Sequence, residues 1–254
     1  MKIGRLIIFA KRFIRILICG LFHLKLFLTS LVVLKNYIYS LFINRIIFKK
    51  YKFKREKFVI LCKNKLNFSH RDLFSNNIPS WLYVFEKQST FHSKIKALEI
   101  GPFEGRSSHF LLKNFNKIHL TCVDTFKPFQ ELQGNYPKKF DQIYRNFKKN
   151  TSKFKKKLNI KKCTSKKFFL KNKKVFDLIY VDGSHKFLDV LNDSRSAFKI
   201  LKKNGIIIFD DFLWGDKIFV KNSTTLALLK FLSENPHKFE ILYLNYQIIL
   251  KKII

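Results

Sequence analysis

The sequence is poor in acidic residues, glycine and cysteine, and these scarcities exclude several classes of protein. Only 17 of the 254 residues are Asp or Glu, against 51 Lys or Arg, so the net charge is +34. The four cysteines form no C-x-x-C pair, which argues against a cysteine zinc site and a disulfide scaffold and favours a reducing, cytoplasmic setting. Hydrophobic residues make up 47% of the chain, more than a disordered polycation carries, so we expect one folded domain plus an extension.

The excess of basic residues does not by itself indicate a nucleic-acid partner. The chain is rich in Lys, Ile, Phe and Asn, a bias that AT-rich coding alone produces. Residues 138–174 hold sixteen Lys or Arg and one acid, Asp141. We interpret this segment as a solvated helical surface with a weak strand near Leu158–Lys161.

Residues 1–60 form a basic, apolar extension. They hold fourteen Lys or Arg and a single acid, Glu56. Basic residues cut the apolar stretches into runs of about nine, below the roughly 18 residues that a membrane-spanning helix needs, so we expect no span. Residues 2–17 predict an amphipathic helix with one basic half, comprising Lys2, Arg5, Lys11, Arg12 and Arg15. Such a helix either caps the domain or a second subunit, or lies on an anionic membrane surface.

The remainder of the chain predicts an α/β domain. Residues 61–92 are interpreted as a connector with short helices, and residues 93–254 as the main domain. There, short continuous apolar runs alternate with helix-length segments, which is typical of a parallel sheet covered by helices on both faces. The predicted strands begin at Ile95, Ile118, Val175 and Ile206. Two β-rich runs joined at Asn245 predict an antiparallel hairpin at the end of the chain.

The scarce glycines and acids gather at the ends of the predicted strands. Glu99-Ile100-Gly101-Pro102-Phe103-Glu104-Gly105-Arg106-Ser107 reads as a strand, a glycine turn and a helix start. Asp124 ends the next strand about 20 residues later, where an acid can accept both hydroxyls of a ribose. Together the two motifs favour an adenosine-type cofactor. The alternatives are a glycine turn without a ligand and a carboxylate that caps a helix.

A second group of acids follows two later strands. Asp182 precedes Gly183-Ser184-His185, and Asp210 and Asp211 follow Ile206–Phe209. Three carboxylates repel one another unless a cation or a proton is shared among them, and hard oxygen ligands suit Mg²⁺ or another divalent cation. His185 can accept a proton near neutral pH. The alternatives are helix-capping acids and a histidine that only orders the turn.

In order and spacing, these motifs resemble those of class I S-adenosylmethionine-dependent methyltransferases. The chain is most similar to the small O-methyltransferase branch with a strand-end Asp-Gly-Ser-His and a later acidic pair. The match covers about residues 70–254, and Asp210-Asp211-Phe212-Leu213-Trp214-Gly215 is similar to the metal segment of the catechol and caffeoyl-type enzymes. The resemblance implies a Rossmann-like seven-stranded, mostly parallel sheet in the order 3-2-1-4-5-7-6, with an antiparallel last hairpin.

The resemblance also implies a role for each motif residue. S-adenosylmethionine would be bound by Glu99, Gly101, Gly105, Ser107, Asp124, Thr164 and Ser165. The divalent cation would be bound by Asp182, Asp210 and Asp211, with His185 as the general base beside Asp182. One departure is that Cys163-Thr164-Ser165 stands where these families often show Gly-Asp-Ser, so any adenine contact there lacks a charge.

The predicted activity is metal-assisted O-methylation of a vicinal-diol-like acceptor, such as a sugar hydroxyl of a glycan or glycolipid precursor. Two alternatives remain open: a nucleic-acid methyltransferase that uses residues 138–174, and an inert membrane-associated binding protein. The Asn-Pro-Pro-Tyr and Asp-Pro-Pro-Tyr segments of base-methylating enzymes are absent from the sequence, which disfavours the first. We expect a cytoplasmic protein, and both peripheral membrane contact through residues 1–60 and a homo-oligomer remain open.

Overall fold

The computed structural model describes residues 3–21, 24–90, 94–127, 141–214 and 223–254. Three parts of the predicted features lie outside these described residues: Lys2 of the amphipathic helix, Gly215 of the acidic motif and the stretch 128–140. The strands are β1 Ile95–Ile100, β2 Ile118–Asp124, β3 Leu158–Lys162, β4 Phe176–Val181, β5 Leu201–Phe209, β6 Phe239–Leu244 and β7 Ile248–Lys252. The α-helices are α1 Ile3–Gly20, α2 Leu24–Lys65, α3 Ile78–Lys87, α4 Arg106–Asn114, α5 Asp141–Thr151, α6 Ser165–Lys171, α7 Phe187–Ile200 and α8 Thr224–Ser233.

The seven strands form one sheet in the order β3-β2-β1-β4-β5-β7-β6, which confirms the predicted fold class. β1 pairs in parallel with β2, and β2 with β3. The last three strands are joined by antiparallel pairs, β5 with β7 and β7 with β6. The predicted C-terminal hairpin is therefore present at the edge of the sheet.

Local sequence explains most of the element boundaries. Five of the six residues of β4 and the last five of β5 are buried, as expected for strands covered on both faces. Ser223 caps α8 by accepting a hydrogen bond from the backbone N–H of Leu226, and Thr164 caps α6 in the same way through Lys167. Strand β5 begins at Leu201, directly after α7. This is five residues before Ile206, where the apolar run predicts the start of the strand.

The chain forms two compact units, and each is described separately below. One unit comprises residues 1–44 and 179–254, and the other comprises residues 45–178. Helix α2 continues past residue 60 to Lys65, so it crosses the predicted boundary between extension and connector. The three-part division into 1–60, 61–92 and 93–254 stays a prediction.

The N-terminal helix α1 is present, and two members of its basic half, Arg12 and Arg15, turn toward the protein, whereas Lys11 is exposed. Arg15 is only 2% exposed, and Arg12 donates a hydrogen bond to Asn245 of the β6–β7 turn. Ile14, on the opposite, apolar side, is 38% exposed. The reason is that the domain offers carbonyl, amide and aromatic partners to the two arginines, which no helical projection can anticipate.

Helix α2 meets a length and composition test for a membrane span, although the sequence led us to expect none. By length and composition alone, Leu24–Lys65 is long and apolar enough to cross a membrane. The prediction counted only uninterrupted apolar runs, whereas isolated basic residues such as Lys35 can extend their long side chains out of an apolar layer. Only 28% of the most apolar 18-residue window of α2 is buried.

Candidate active site

The glycine turn after β1 has the backbone conformation that the motif predicts. Gly101 and Gly105 both have φ of +82°, a region that favours glycine. The backbone N–H of Gly101 donates to the carbonyl of Val123 at 3.0 Å, which ties the turn to the end of β2. A Cβ at Gly105 would lie 2.9 Å from the ring of Phe147, so the turn also packs tightly against α5. The partly exposed Gly101 is thus where a ligand can approach the backbone.

Glu99 lies beneath this turn and is directed toward helix α4. Its side chain is fully buried, and its two carboxylate oxygens accept hydrogen bonds from the hydroxyls of Ser107 and Ser108. The thiol of Cys122 donates to the same carboxylate at 3.5 Å. Burial raises the pKa of Glu99, although the hydrogen bonds act in the opposite direction. Glu99 and Ser107 therefore anchor the start of α4 to the sheet.

Asp124 lies at the carboxyl end of β2, next to the glycine turn. Its carboxylate accepts backbone hydrogen bonds from Phe103 at 3.1 Å and Phe126 at 2.7 Å. Both phenylalanines have positive φ, so the backbone bends around this carboxylate. Burial raises the pKa of Asp124, and the same backbone hydrogen bonds lower it. The side chain is only partly buried, so it can still accept the hydroxyls of a ribose.

Thr164 and Ser165 lie at the start of α6, after β3. The hydroxyl of Thr164 accepts from the backbone N–H of Lys167 at 3.2 Å, so it is already used as a helix cap. Thr164 is exposed and Ser165 is half-buried. The structure thus places both residues after the end of β3, with Thr164 as the cap of α6 and Ser165 as its first residue.

A polar clamp on the glycine turn was not anticipated from the sequence. Glu104 is buried, and its carboxylate accepts from the backbone N–H groups of Ser69 and His70 and from the amide of Asn146. Asn150 donates to the backbone carbonyl of Glu104 at 2.8 Å. These hydrogen bonds attach the segment before α3 to the glycine turn. The only indication of this role in the sequence was that Glu104 is a rare acid between two rare glycines, Gly101 and Gly105.

In the other unit, Asp182, His185 and Asp211 come together after β4 and β5. One ligand atom from each of the three lies within 4.8 Å of the other two, and all three are half-buried. The Nε2 atom of His185 contacts the Oδ2 atom of Asp211. These residues line a small cleft together with Val181, Gly183, Ser184, Val190, Phe209, Asp210 and Thr224.

Asp210 is engaged differently from the other two acids. Its Oδ2 contacts the hydroxyl of Tyr180 and accepts from the amide of Gln247 at 2.8 Å, while its Oδ1 accepts from the backbone N–H of Asp211. The Tyr180 hydroxyl also lies 2.9 Å from Asp182 Oδ2. Asp210 is thus occupied by protein donors, and the group that could hold a cation contains His185 in addition to Asp182 and Asp211.

The electrostatics of this cluster favour an added proton or a cation. Burial, and then the neighbouring carboxylates of Asp210 and Asp211, raise the pKa of Asp182 well above its ordinary value. Burial and Asp211 likewise raise the pKa of Asp210 to about 7. The Tyr180 hydroxyl has one hydrogen, so it can donate fully to only one of the carboxylates of Asp182 and Asp210. A shared proton or a bound cation would relieve the repulsion.

The cluster therefore has a donor set that fits a divalent cation. Two carboxylates and one imidazole are ligands for Mn²⁺, Fe²⁺ or Zn²⁺, whereas Mg²⁺ prefers oxygen ligands only. The prediction of Asp182, Asp210 and Asp211 as the ligands rested on their positions at strand ends and on the family resemblance. It could not include the short contact of His185 with Asp211, because that contact depends on how the Asp-Gly-Ser-His turn folds back.

Aromatic and basic residues outside the predicted set support this cluster. The Trp214 ring stacks on His185, with 4.9 Å between ring centroids and an angle of 21°. Arg15 donates to the backbone carbonyl of Trp214 at 2.5 Å. Arg12 lies over the ring of Tyr246, 5.7 Å from its centroid, and Asp211 is the hydrogen-bond partner of the Tyr246 hydroxyl. No sequence motif marks the two arginine contacts, because Arg15 and Trp214 are 199 positions apart and Arg12 and Tyr246 are still farther apart.

Comparison with known proteins identifies the type of domain. Residues 98–212 match the family model described as a methyltransferase domain. This range includes the glycine turn, Asp124 and all three acids of the second cluster. It excludes α1 and α2.

Solved structures share the fold at low sequence identity. A Staphylococcus aureus protein assigned as a caffeoyl-CoA O-methyltransferase superposes with a TM-score of 0.53 at 15% identity, over 83% of this chain and 98% of that one. An O-methyltransferase from Bacillus cereus, solved with S-adenosylhomocysteine, gives a TM-score of 0.51 at 11% identity, over 87% of this chain and all of that one. Among curated proteins, an uncharacterised protein of Acanthamoeba polyphaga mimivirus is 23% identical over 198 residues, covering 72% of this chain and 83% of that protein.

Proposed function

We propose that the protein is a class I S-adenosylmethionine-dependent O-methyltransferase that methylates a hydroxyl of a vicinal-diol-like acceptor with the help of a divalent cation. The match of residues 98–212 to a methyltransferase domain supports this proposal. A sugar hydroxyl of a glycan or glycolipid precursor is the acceptor that we favour. The proposal is carried by the group formed by Asp182, His185 and Asp211.

The residues around the glycine turn fit the cofactor. The positive φ of Gly101 and Gly105 lets the backbone approach a ligand closely, and Asp124 can accept a pair of ribose hydroxyls. When bound, the cofactor supplies a methyl group that its sulfonium has already activated. The chain must then orient an acceptor oxygen toward that methyl and remove a proton from it.

His185 is the residue that we assign to proton removal. Asp211 contacts its Nε2 atom and Trp214 stacks on its ring, so the imidazole is held in one orientation. In the proposed step, the acceptor hydroxyl gives its proton to His185 as its oxygen forms a bond to the methyl carbon and the carbon–sulfur bond breaks. General-base catalysis of this kind contributes about 10²- to 10⁴-fold to the rate.

Asp182 and Asp211 are the residues that we assign to the cation. A bound cation would polarise the acceptor hydroxyl and lower its pKa. The high pKa of Asp182, which results from burial and from the neighbouring acids, is consistent with a site that is completed by a positive charge. Two adjacent acceptor oxygens fit such a site better than one, which is why we favour a vicinal diol.

The test is methyl transfer from labelled S-adenosylmethionine by the full-length protein. Catechol, a cis-diol sugar, a monohydroxy sugar and an RNA are offered in parallel, with Mn²⁺ or Mg²⁺ and with chelator. We expect transfer to the diols, its loss in chelator, and a fall of about 100-fold or more for Asp182→Asn. Glu240→Gln, an exposed acid on β6, is the matched control and should behave as the parent. Full turnover in chelator would refute the metal role, and transfer only to RNA would refute the diol acceptor.

His185→Gln separates the two roles that the imidazole could have. As a base, His185 can be lost without loss of cation binding, so calorimetry with Mn²⁺ should be unchanged while turnover falls. If cation binding disappears together with turnover, His185 is a ligand and the assignment as base is wrong.

A further inference from the structure

The first half of α2 presents an apolar stripe that no part of the described domain covers. Its most exposed members recur at helical spacing and are Leu24, Leu28, Leu31, Val32, Tyr39 and Phe42, which are 44–77% exposed. From Leu24 to Phe42 this stripe extends about 27 Å along the helix. We call these six residues the outer stripe.

The opposite side of the same helix is fixed to the protein. Ser30, Val33 and Tyr37 are buried, and Tyr37 stacks on Phe9 of α1 with ring centroids 5.8 Å apart. Ser40 accepts a hydrogen bond from the backbone N–H of Leu244 on β6 at 3.0 Å. Nearby, Asn44 accepts from the hydroxyl of Tyr243.

This attachment distinguishes a helix that lies on a membrane from one that crosses it. A membrane-spanning helix would have to release its hydrogen bonds to β6 and place Ser30, Ser40 and Asn44 in hydrocarbon, which is costly. A helix that keeps these contacts can offer only its outer side to lipid. The geometry is therefore that of an interfacial helix with the domain attached to its inner side.

The charges around the outer stripe indicate what covers it. Residues 1–44 contain seven Lys or Arg and no Asp or Glu. Lys25 and Lys35 are exposed on the same part of α2, and Lys11 is exposed on α1. A second copy of the chain would bring these cations together with no carboxylate to oppose them. An anionic lipid surface complements both the apolar stripe and the lysines, whose long side chains can reach the headgroups.

We propose that the outer stripe of α2 is a docking surface for an anionic phospholipid bilayer, on which the protein lies without spanning it. The stripe inserts its apolar side chains at the level of the headgroups, while Lys25 and Lys35 contact lipid phosphates. This proposal assigns the lipid-facing surface to α2, whereas the sequence analysis considered membrane contact only for residues 2–17, as one of two alternatives. The inference is independent of the proposed reaction.

The decisive experiment reports the position of one side chain of the stripe in the full-length protein. Phe42→Trp and Leu170→Trp replace two exposed residues, 77% and 79% exposed, on α2 and on the lysine-rich helix α6. The probes are vesicles of phosphatidylcholine alone or with phosphatidylglycerol, and the acyl chains are brominated to quench tryptophan. We expect the emission of Phe42→Trp to shift to the blue and to be quenched on anionic vesicles. The emission of Leu170→Trp should respond to vesicles no more than that of the parent.

Two outcomes of that experiment would overturn the proposal. If the protein sediments with anionic vesicles but Phe42→Trp is not quenched, the protein binds the membrane through lysines outside the stripe. Absence of sedimentation with any vesicle would mean that the stripe has another occupant.

A pair of double variants tests the apolar contribution separately from charge. Leu28→Gln with Phe42→Gln should lower the partition coefficient on anionic vesicles by about tenfold or more. Leu73→Gln with Leu170→Gln, which alters two exposed leucines outside the stripe, should leave it unchanged. If the parent is a dimer, the stripe variant a monomer and vesicle binding equal in both, a second copy covers the stripe and the proposal is wrong.

Discussion

The carboxyl group of Glu99 shows how burial sets the chemistry of a single residue. It is fully buried, and all the groups that contact it are small donors: the hydroxyls of Ser107 and Ser108 and the thiol of Cys122. No cationic side chain is among its hydrogen-bond partners in the described part of the chain. Loss of water therefore dominates, and the pKa of Glu99 is raised from 4.5.

This shift predicts how stability changes with pH. A carboxyl with a raised folded-state pKa stabilises the fold fully below its unfolded pKa, and that contribution is lost as the pH rises through the folded value. We expect the free energy of unfolding to fall as the pH rises above 4.5 and through the raised folded-state pKa of Glu99, by about 1.4 kcal/mol for each unit that separates its two pKa values. Denaturant titrations across this range, for the parent and for Glu99→Gln, measure it.

The variant should lose stability less steeply than the parent, because an amide does not ionise. Glu240→Gln, at an exposed position, should follow the parent at every pH. Parallel curves for Glu99→Gln and the parent would contradict the assignment of the pH dependence to Glu99.

At the residue level, the sequence located rare residues that follow strands. Asp182, Asp210 and Asp211 were found because the ends of apolar runs can be read from the sequence, and the structure brings all three into one unit. The roles within the group could not be read in the same way. Tyr180 and Gln247 distinguish Asp210 from the other two acids, and a hydroxyl or amide inside a β-rich run looks like any other strand residue.

At the level of secondary-structure elements, α1 takes part in the architecture of the acidic cluster although it lies outside the matched family domain. Arg15 binds the carbonyl of Trp214, and Trp214 stacks on His185. Arg12 contacts Asn245 and Tyr246 in the β6–β7 turn. The helix thus holds the two loops that flank the cluster, which makes Arg15 a positioning residue for His185.

Replacing Arg15 should therefore affect turnover without affecting cofactor binding. A hydrogen bond to a charged group contributes about 1.5–3 kcal/mol, so Arg15→Met should lower the free energy of unfolding by about 2 kcal/mol. It should also lower kcat about tenfold, with an unchanged Kd for S-adenosylmethionine. Denaturation, calorimetry and the methyl-transfer assay measure the three quantities.

Lys11→Met is the matched control, because Lys11 is an exposed base on the same helix. It should leave kcat and stability close to those of the parent. Equal losses of kcat in the two variants would show that α1 acts only through its overall charge.

The start of an element could be predicted where its apolar pattern begins at the same residue as its regular backbone hydrogen bonding. It could not be predicted where the two begin at different residues. Helices α7 and α8 and strands β1, β2 and β6 begin at the residues where their apolar patterns begin. Strand β5 begins earlier than predicted, because its second to fourth residues are exposed and give no apolar signal. β7 begins at Ile248, two residues later than predicted, because Tyr246 and Gln247 turn toward the acidic cluster.

For the whole molecule, the net charge of +34 makes self-repulsion the dominant long-range term. Ion pairs are few among the described residues and involve mainly exposed carboxylates such as Glu86 and Glu234. Added salt screens the repulsion, since the Debye length falls from about 10 Å at 0.1 M to about 3 Å at 1 M. We expect Tm to rise as sodium chloride is raised over this range at pH 7.

The measurement is a thermal melt series in sodium chloride. The control uses sulfonate buffers of matched ionic strength, which separates screening from specific anion binding. A Tm that is constant or that falls with salt would show that the lysines are too far apart to destabilise the fold.

The sequence by itself determined the α/β class, the strand order through the family resemblance, and the set of acids that follow the strands. These follow from burial, periodicity and backbone freedom, which act locally and leave a pattern along the chain. Tertiary structure decided which carboxylate faces His185, which carries protein hydrogen bonds, and that two arginines of α1 turn inward. Those outcomes depend on contacts between distant segments, where a donor, a ring or a carbonyl supplied by one element sets the surroundings of another.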